Sequence, residues 1–394
     1  MSEASVDLGG LRFERGAHLL VERSLRAVAV GEAVAVTGGD DGLRVHLRAW
    51  ARQRGHGYVE RGGVPMVLRT DVALGRWRGA ARAGGAASEG VAERASAQWG
   101  LAPRGATVEA STPTFGFTLD AKDDVWSDDA GRLYAQAAAA QWDPATTIPW
   151  GAPFEHPEAV EDAVVQVMTY LIENETAALV IPARFVAQMH PHFREVMQLL
   201  AVQAADEARH IEVFTRRALL RRDALGLSTA GGQASLKTLV DEPDFATASF
   251  LLSVLGEGTF LSLLAFLRER GPDLVTREVA RWSGQDEARH VAFGMAHLAR
   301  HIERDPSVRE RLAAAVTRRH DALQHTAGLN EEVFDALVLL AAGGWAPEAI
   351  GAGHDAVLAL QRDMDESRQK RLRRLGFDAR DAEALSSLHT RNFM

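Results

Sequence analysis

The chain has 394 residues, 46% of them hydrophobic and 25% charged, with a formal net charge of −9. That length exceeds one ordinary domain, so two domains are expected, and the apolar share suffices for a large core. The acidic balance gives no support to a nucleic-acid surface, and the absence of cysteine removes disulfides, iron–sulfur ligation, thiolate zinc sites and cysteine nucleophiles together.

The N-terminus, with Glu3 and Asp7 and no apolar stretch, does not read as a signal peptide. Leu11–Arg15 reads as a short strand and Ala17–Val30 as a helix with Leu19, Leu20, Ser24, Ala27 and Val28 along one side. Glu32–Thr37 alternates like a strand and runs into the turn signal Gly38-Gly39-Asp40-Asp41-Gly42. A second helix over Leu43–Arg54 and strands over Tyr58–Arg61, Val64–Thr70 and Ala73–Arg78 complete a βαβαββ order. This is a small α/β sandwich spanning residues 1–80.

Val36-Thr37-Gly38-Gly39-Asp40-Asp41, followed by Leu47-Arg48-Ala49-Trp50-Ala51-Arg52-Gln53-Arg54-Gly55-His56-Gly57, is similar to the second strand and helix of the TusA/SirA sulfur-carrier fold. That family's working Cys would fall near Glu14-Arg15-Gly16-Ala17, where this chain has none. The resemblance therefore implies a docking domain without persulfide chemistry.

Residues 81–125, rich in Ala, Gly and Ser, read as a linker, partly ordered around Val91–Trp99. A mostly α domain follows over 126–394. Asp128-Asp129 caps a helix through Leu133, Ala137 and Gln141. Trp142-Asp143-Pro144-Ala145-Thr146-Thr147-Ile148-Pro149-Trp150 is an ordered loop over one end of a bundle, its tryptophans in packing roles.

Pro157 opens a long helix whose apolar stripe runs through Val160, Val164, Val167, Leu171, Ala178, Pro182, Phe185 and Met189. Glu175, four residues after Leu171, points into that stripe, while Glu173 is rotated some ~200° away at about 3.6 residues per turn. Pro182 should bend the helix. Pro191 breaks the chain before a partner helix over Phe193–Leu225, with Val196, Leu200, Gln203, Glu207, His210 and Phe214 on one face. Phe245–Arg270 turns Val254, Glu257, Phe260, Leu261 and Leu264 inward, and Asp273–Glu303 carries Glu287, His290 and Gly294. The 23 residues Phe245–Leu267 match a membrane span in length. A buried bundle helix is the preferred reading, because Glu257 has matching partners and no other stretch resembles a span. A cytoplasmic protein follows as the expectation.

Asp-Glu-Ala-Arg-His occurs twice, at 206–210 and 286–290. Glu and His at i and i+3 share one helix face. Glu175 lies 32 residues before Glu207, and Glu257 lies 30 before Glu287. Two helices giving one Glu and two giving Glu-x-x-His form the ligand set of a di-metal four-helix bundle. Carboxylates balance the charge of two divalent ions and bridge them about 3.5–4 Å apart, and imidazoles suit iron. A lone Glu-x-x-His is common on solvated helices, but two identical pentads paired with a Glu in an apolar stripe are not. Glu175, Glu207, His210, Glu257, Glu287 and His290 are the expected metal ligands and catalytic centre. His190, His192, His297, His301, His320, His325 and His354 have no such partners, though one of them as an extra ligand stays open.

Over residues 134–300 the two D-E-x-R-H motifs resemble ferritin-like di-iron carboxylate oxygenases and oxidases. The resemblance implies two Fe ions, with a Mn/Fe pair as the alternative, O2 as co-substrate, a small organic substrate and an external electron donor such as a reductase or ferredoxin. It also implies that Asp206 and Asp286 each bond the His of the other helix, with Arg209 and Arg289 pairing with those aspartates. In the ribonucleotide reductase small subunit a Tyr stands one turn after the first motif, where this chain has Phe214. That difference speaks against a radical protein of that kind, which is kept as an alternative together with a non-catalytic metal-stabilised scaffold. Thr176, Gly258 and Thr259 are expected near the metals, where O2 and substrate would sit.

Further helices start at Asp305-Pro306, over Glu331–Leu340 and over Ala346–Leu375, extending the bundle and offering a homodimer interface. The basic run Arg368-Gln369-Lys370-Arg371-Leu372-Arg373-Arg374 reads as a solvated face, and nothing in these helices suggests chemistry.

Overall fold

The computed structural model describes residues 4–71, 77–323 and 331–389. The chain forms two compact units, Met1–Ala86 with Arg104–Thr114, and Ala87–Pro103 with Phe115–Met394.

In the first unit β1 (Ala4–Asp7), α1 (Ala17–Arg26), β2 (Ala33–Thr37), α2 (Leu43–Gln53), β3 (Gly57–Arg61) and β4 (Val64–Leu68) follow in βαβαββ order. The sheet order is β1-β2-β4-β3, with β1 and β2 parallel and the other pairs antiparallel. Val34 and Val36 alternate inward and pack with Val67, Val21, Leu25, Leu47 and Trp50. The first strand is Ala4–Asp7 rather than Leu11–Arg15, which contains a 3-10 turn over Phe13–Arg15. Asp40 accepts the Phe13 N–H at 3.1 Å, and Gly16 at φ 105° turns the chain into α1. That entry sets the helix phase, so Ala17, Val21 and Leu25 are buried while Leu19 lies exposed. The strand expected over Ala73–Arg78 falls largely outside the described residues. A short pair, β5 (Ala81–Arg82) with β6 (Thr107–Val108), also belongs to this unit.

The second unit is helical. Short α3 (Lys122–Val125), α4 (Ala130–Ala139) and α5 (Pro144–Thr147) precede α6 (Glu158–Gln188) and α7 (Arg194–Ala218). Asp129 sits at the N-cap of α4 but makes no capping bond, because its carboxylate accepts from Arg132 instead. Next comes α8 (Ala230–Val240), unforeseen in a Gly- and Ser-containing stretch but capped by Thr229 on the Gly232 N–H. The third bundle helix is α9 (Phe245–Ser249), a π-helical stretch (Phe250–Glu257) and α10 (Gly258–Arg270). The fourth is α11 (Leu274–Arg304), started by Asp273 capping Thr276.

Helix α6 packs along α7, and α10 and the π stretch pack along α11. α6 continues through Pro182 to Gln188. Both α6 and Phe245–Arg270 are long and apolar enough to cross a membrane, so α6 joins the one stretch expected to resemble a span. Inside the protein, 67% and 89% of their apolar windows are buried. α12 (Val308–Leu323), α13 (Glu331–Ala342), α14 (Pro347–Arg374) and α15 (Ala379–His389) follow, with α13 on α6 and α14 on α10 and α15.

Candidate metal centre

Helical phase decides the carboxylate on α6. Glu175 is 1% exposed, whereas Glu173 is partly exposed on the other side of the helix. Glu175, Glu207, His210, Glu257, Glu287 and His290 are all buried at the middle of the bundle. They form two overlapping groups, Glu175, Glu207, His210 and Glu287, and Glu207, Glu257, Glu287 and His290, in each of which one ligand atom per residue lies within 4.8 Å of the others.

His210 Nδ1 is 3.2 Å from Glu207, 3.1 Å from Glu287 and 3.6 Å from Glu175. His290 Nδ1 is 3.0 Å from Glu207, 3.5 Å from Glu287 and 3.9 Å from Glu257. Glu207 and Glu287 therefore face both imidazoles, while Glu175 and Glu257 stand at opposite ends. Among the described residues one further His–carboxylate group, Glu14, Asp40 and His46, lies largely exposed in the first unit. Buried His297 sets its Nδ1 against the Trp126 carbonyl at 3.2 Å, and His325 lies outside the described residues.

The far ring nitrogens cross over. His210 Nε2 lies 3.2 Å from Asp286, and His290 Nε2 lies 3.3 Å from Asp206. Arg209 bonds both Asp206 and Asp286, the latter at 2.8 Å, and Arg289 bonds Asp286. Trp142 Nε1 donates to Asp286 and Gln141 Nε2 to Asp206, each at 2.8 Å. The tryptophan read as packing is thus also a hydrogen-bond donor. Such outer contacts fix the tautomer and tilt of a ligating ring. Gln203 donates to Glu257 at 2.8 Å. Its signal was a polar residue one turn before Glu207 on the buried face.

The small residues expected beside the metals lie elsewhere. Thr176 is exposed and bonds the Ile172 carbonyl. Thr259 bonds the Leu255 carbonyl, and Gly258 lies against Arg371. Gly258 and Thr259 are turned about 100° and 200° from Glu257 on the helix. A cavity of about 10 Å³, room for about one water, is instead lined by Gln203, Ser253, Ser249, Leu200 and Phe293 among others.

Burial, Glu207 and Glu287 lift the Glu175 carboxyl well above the usual range. Burial also lifts Glu257, with Glu287 and Glu207 adding to it against the pull of His290. For Glu207 the burial effect is outweighed by the charge of His290 and by Glu175, His210 and His290 close to its carboxylate, and its pKa falls. Burial opposes ionisation of His210, but Asp286, Glu175, Glu207 and Glu287 outweigh it, and the imidazole pKa rises well above its ordinary value. His290 rises likewise, against burial, through Glu207 and Glu287. The protein thus offsets its buried carboxylates with protons where cations would otherwise do so.

Buried oxygens on Glu175, Glu207, Glu257 and both oxygens of Glu287, with His290 Nδ1, have no hydrogen-bond partner. An orphaned buried polar atom costs about 1–3 kcal/mol, and more when charged. Six such atoms converging on one volume suit divalent cations, and the donor set of four carboxylates and two imidazoles suits iron or manganese. These Glu/His clusters can hold a di-metal site.

No protein-family model and no curated protein matches the chain. Among solved structures it is similar to protein 19 with aldehyde deformylating oxidase activity from Synechococcus (20% identity, 58% of this chain and 96% of that one, TM-score 0.41). It is also similar to the R2-like ligand-binding oxidase from Sulfolobus acidocaldarius (17% identity, 66% and 94%, TM-score 0.42). A third is an R2-like ligand-binding oxidase G68L mutant with aerobically reconstituted Fe/Fe cofactor (16%, 63% and 94%, TM-score 0.45). TM-scores of 0.41–0.45 leave function to be argued from the side chains themselves.

Proposed function

We propose that the chain is a di-metal oxidoreductase that activates O2 to oxidise a small organic substrate, with Glu175, Glu207, His210, Glu257, Glu287 and His290 holding two Fe ions or a Mn/Fe pair. The observation that carries this reading is the set of partnerless buried carboxylate oxygens facing two imidazoles inside an apolar bundle. Bound metals would supply the electron transfer to O2 that carboxylates and imidazoles cannot perform alone. The chain's own residues do the rest. Asp206 and Asp286 hold the ring nitrogens of the opposite helix, and Gln203 orients Glu257. Leu200 and Phe293 give the adjoining cavity apolar lining.

Insertion of one oxygen atom into a substrate consumes two electrons and two protons and forms water. The chain has no cysteine for an iron–sulfur carrier, so an external reductase or ferredoxin supplies the electrons. The residue one turn beyond His210 is Phe214, with ring centroids 6.3 Å apart. A phenylalanine there has no phenolic O–H, which disfavours a stored tyrosyl radical at that position. The cysteine-free N-terminal unit is read as a docking domain.

Metal analysis of the purified chain, followed by oxygen consumption after chemical reduction, tests the proposal. About two metals per chain and stoichiometric O2 uptake are expected. Metal bound without O2 uptake would favour the scaffold reading.

A further inference from the structure

Two arginines of the basic run on α14 turn inward, while Lys370, Arg373 and Arg374 are exposed. Arg368 is 1% exposed, and Arg371 is partly buried. With Arg319 of α12, which is 7% exposed, both act on buried His389. Elsewhere the protein compensates a buried guanidinium fully: Arg217 bonds Glu161 at 2.7 and 3.0 Å and Asp273 at 2.7 Å. Arg319 instead bonds two hydroxyls, Thr238 at 2.8 Å and Ser235 at 2.6 Å, and lies 3.4 Å from His389 Nδ1. Arg371 donates from Nε to the Val254 carbonyl at 2.8 Å, and its buried Nη2 has no partner. Neither makes an ion pair among the described residues. Arg368 bonds Ser386 at 2.9 Å and Thr259 at 3.1 Å, and Ser386 in turn bonds Asp365.

Uncharged donors complete the cluster. His389 Nε2 and the Tyr170 hydroxyl are buried without partners. Burial, then Arg368, Arg319 and Arg371, hold the His389 imidazole well below its usual range, so the ring is neutral and lies within the field of all three guanidiniums. Burial lowers each guanidinium to about 10, which leaves all of them charged at neutral pH. Among the described residues Arg319 and Arg371 have no carboxylate partner, and a buried charge without one is strongly destabilising.

We propose that Arg319 and Arg371, with Tyr170 and His389, form an anion site that takes the carboxylate of an organic molecule. A planar guanidinium fork matches a carboxylate. The Tyr170 and Phe260 rings, edge to face at 5.9 Å, give the organic part an aromatic wall. Partly exposed Arg371 gives the cluster an edge at the surface. None of these residues is among the six metal-facing side chains, so the site is separate from the proposed metal centre. It nevertheless adjoins the segment that carries Glu257, because a Cβ on Gly258 would lie 2.5 Å from the Arg371 guanidinium carbon.

Calorimetric titration of the full chain, as purified, with sodium benzoate tests the site, with sodium phosphate and sodium chloride at matched ionic strength alongside. Saturable benzoate binding is expected, weakened at least about tenfold by Arg371→Gln and by Arg319→Gln, and unchanged by Arg374→Gln at an exposed position. Without benzoate, Arg371→Gln should melt no lower than the parent, since it removes an uncompensated charge. Absence of saturable binding, equal binding by all three variants, or tighter binding of phosphate than of benzoate would overturn the proposal. Metal content is read on the same samples, so failure here and failure of the oxidase reading are distinguishable.

Discussion

Asp286→Asn isolates one contact that the metal centre depends on. Asp286 accepts from His210 Nε2 at 3.2 Å, Trp142 Nε1 at 2.8 Å and Arg209 Nη2 at 2.8 Å, and also from Arg289. An asparagine of equal volume keeps one acceptor oxygen and turns an N–H₂ toward groups that are themselves donors. His210 loses the acceptor that fixes its tautomer, and two guanidiniums lose a negative partner. Outer-contact substitutions of this kind cost about 10–100-fold in metal affinity, or about 1.4–2.7 kcal/mol. Anaerobic competition with a metal chelator, read as two stepwise affinities, measures it. The position facing His210 should weaken by that factor, with the position facing His290 less affected. Asp206→Asn should reverse the pattern, because Asp206 faces His290 at 3.3 Å. Trp142→Phe, which removes one donor and no charge, should cost less than either. Unchanged affinities at both positions in Asp286→Asn would refute the reasoning.

Loading the metal-free protein at pH 7 should release at least about two protons per chain, one from each imidazole and more from the lifted Glu175 and Glu257 carboxyls, because ligands bind metal deprotonated. Affinity should accordingly fall as pH falls, and loading without proton release in an unbuffered indicator assay would contradict this. Glu161→Ala should destabilise the helical unit by about 3–5 kcal/mol in denaturant unfolding, since it strips fully buried Arg217 of one of its two carboxylates. Burial lowers His297 from 6.5 to about 4. The unfolded chain therefore binds the extra proton first on acidification, and stability present above about pH 6.5 is lost as pH falls toward 4, on the order of 3 kcal/mol in all. Tm against pH for His297→Gln should be flatter than for the parent over that window; superimposable curves would show that the ring does not contribute.

Local pattern made the metal centre legible. Identical pentads on helices, and a Glu in phase with an apolar stripe, specify facing side chains through the 3.6-residue turn alone, which separates Glu175 from Glu173. The βαβαββ order of the first unit was legible for the same reason, through strand alternation. Its first strand was not. Ala4–Asp7 is a strand because it pairs with Ala33–Thr37, and that partner lies far along the chain.

Pairings between distant segments were decided by tertiary structure. Trp142 and Gln141 lie 144 and 65 residues from the aspartates they bond, and no local period connects them. Gly258 and Thr259 turn to Arg371 and Arg368 of α14, more than a hundred residues further along the chain, rather than to the metals. Arg368 and Arg371 look solvated in sequence because their neighbours Lys370, Arg373 and Arg374 are exposed. Only the packing of α14 on α10 turns them inward. What the sequence determined by itself is which four glutamates and two histidines cluster in the bundle, because helical period acts within a single segment. Which outer groups hold those ligands, and where buried charge goes uncompensated, depends on contacts between segments that only the folded chain brings together.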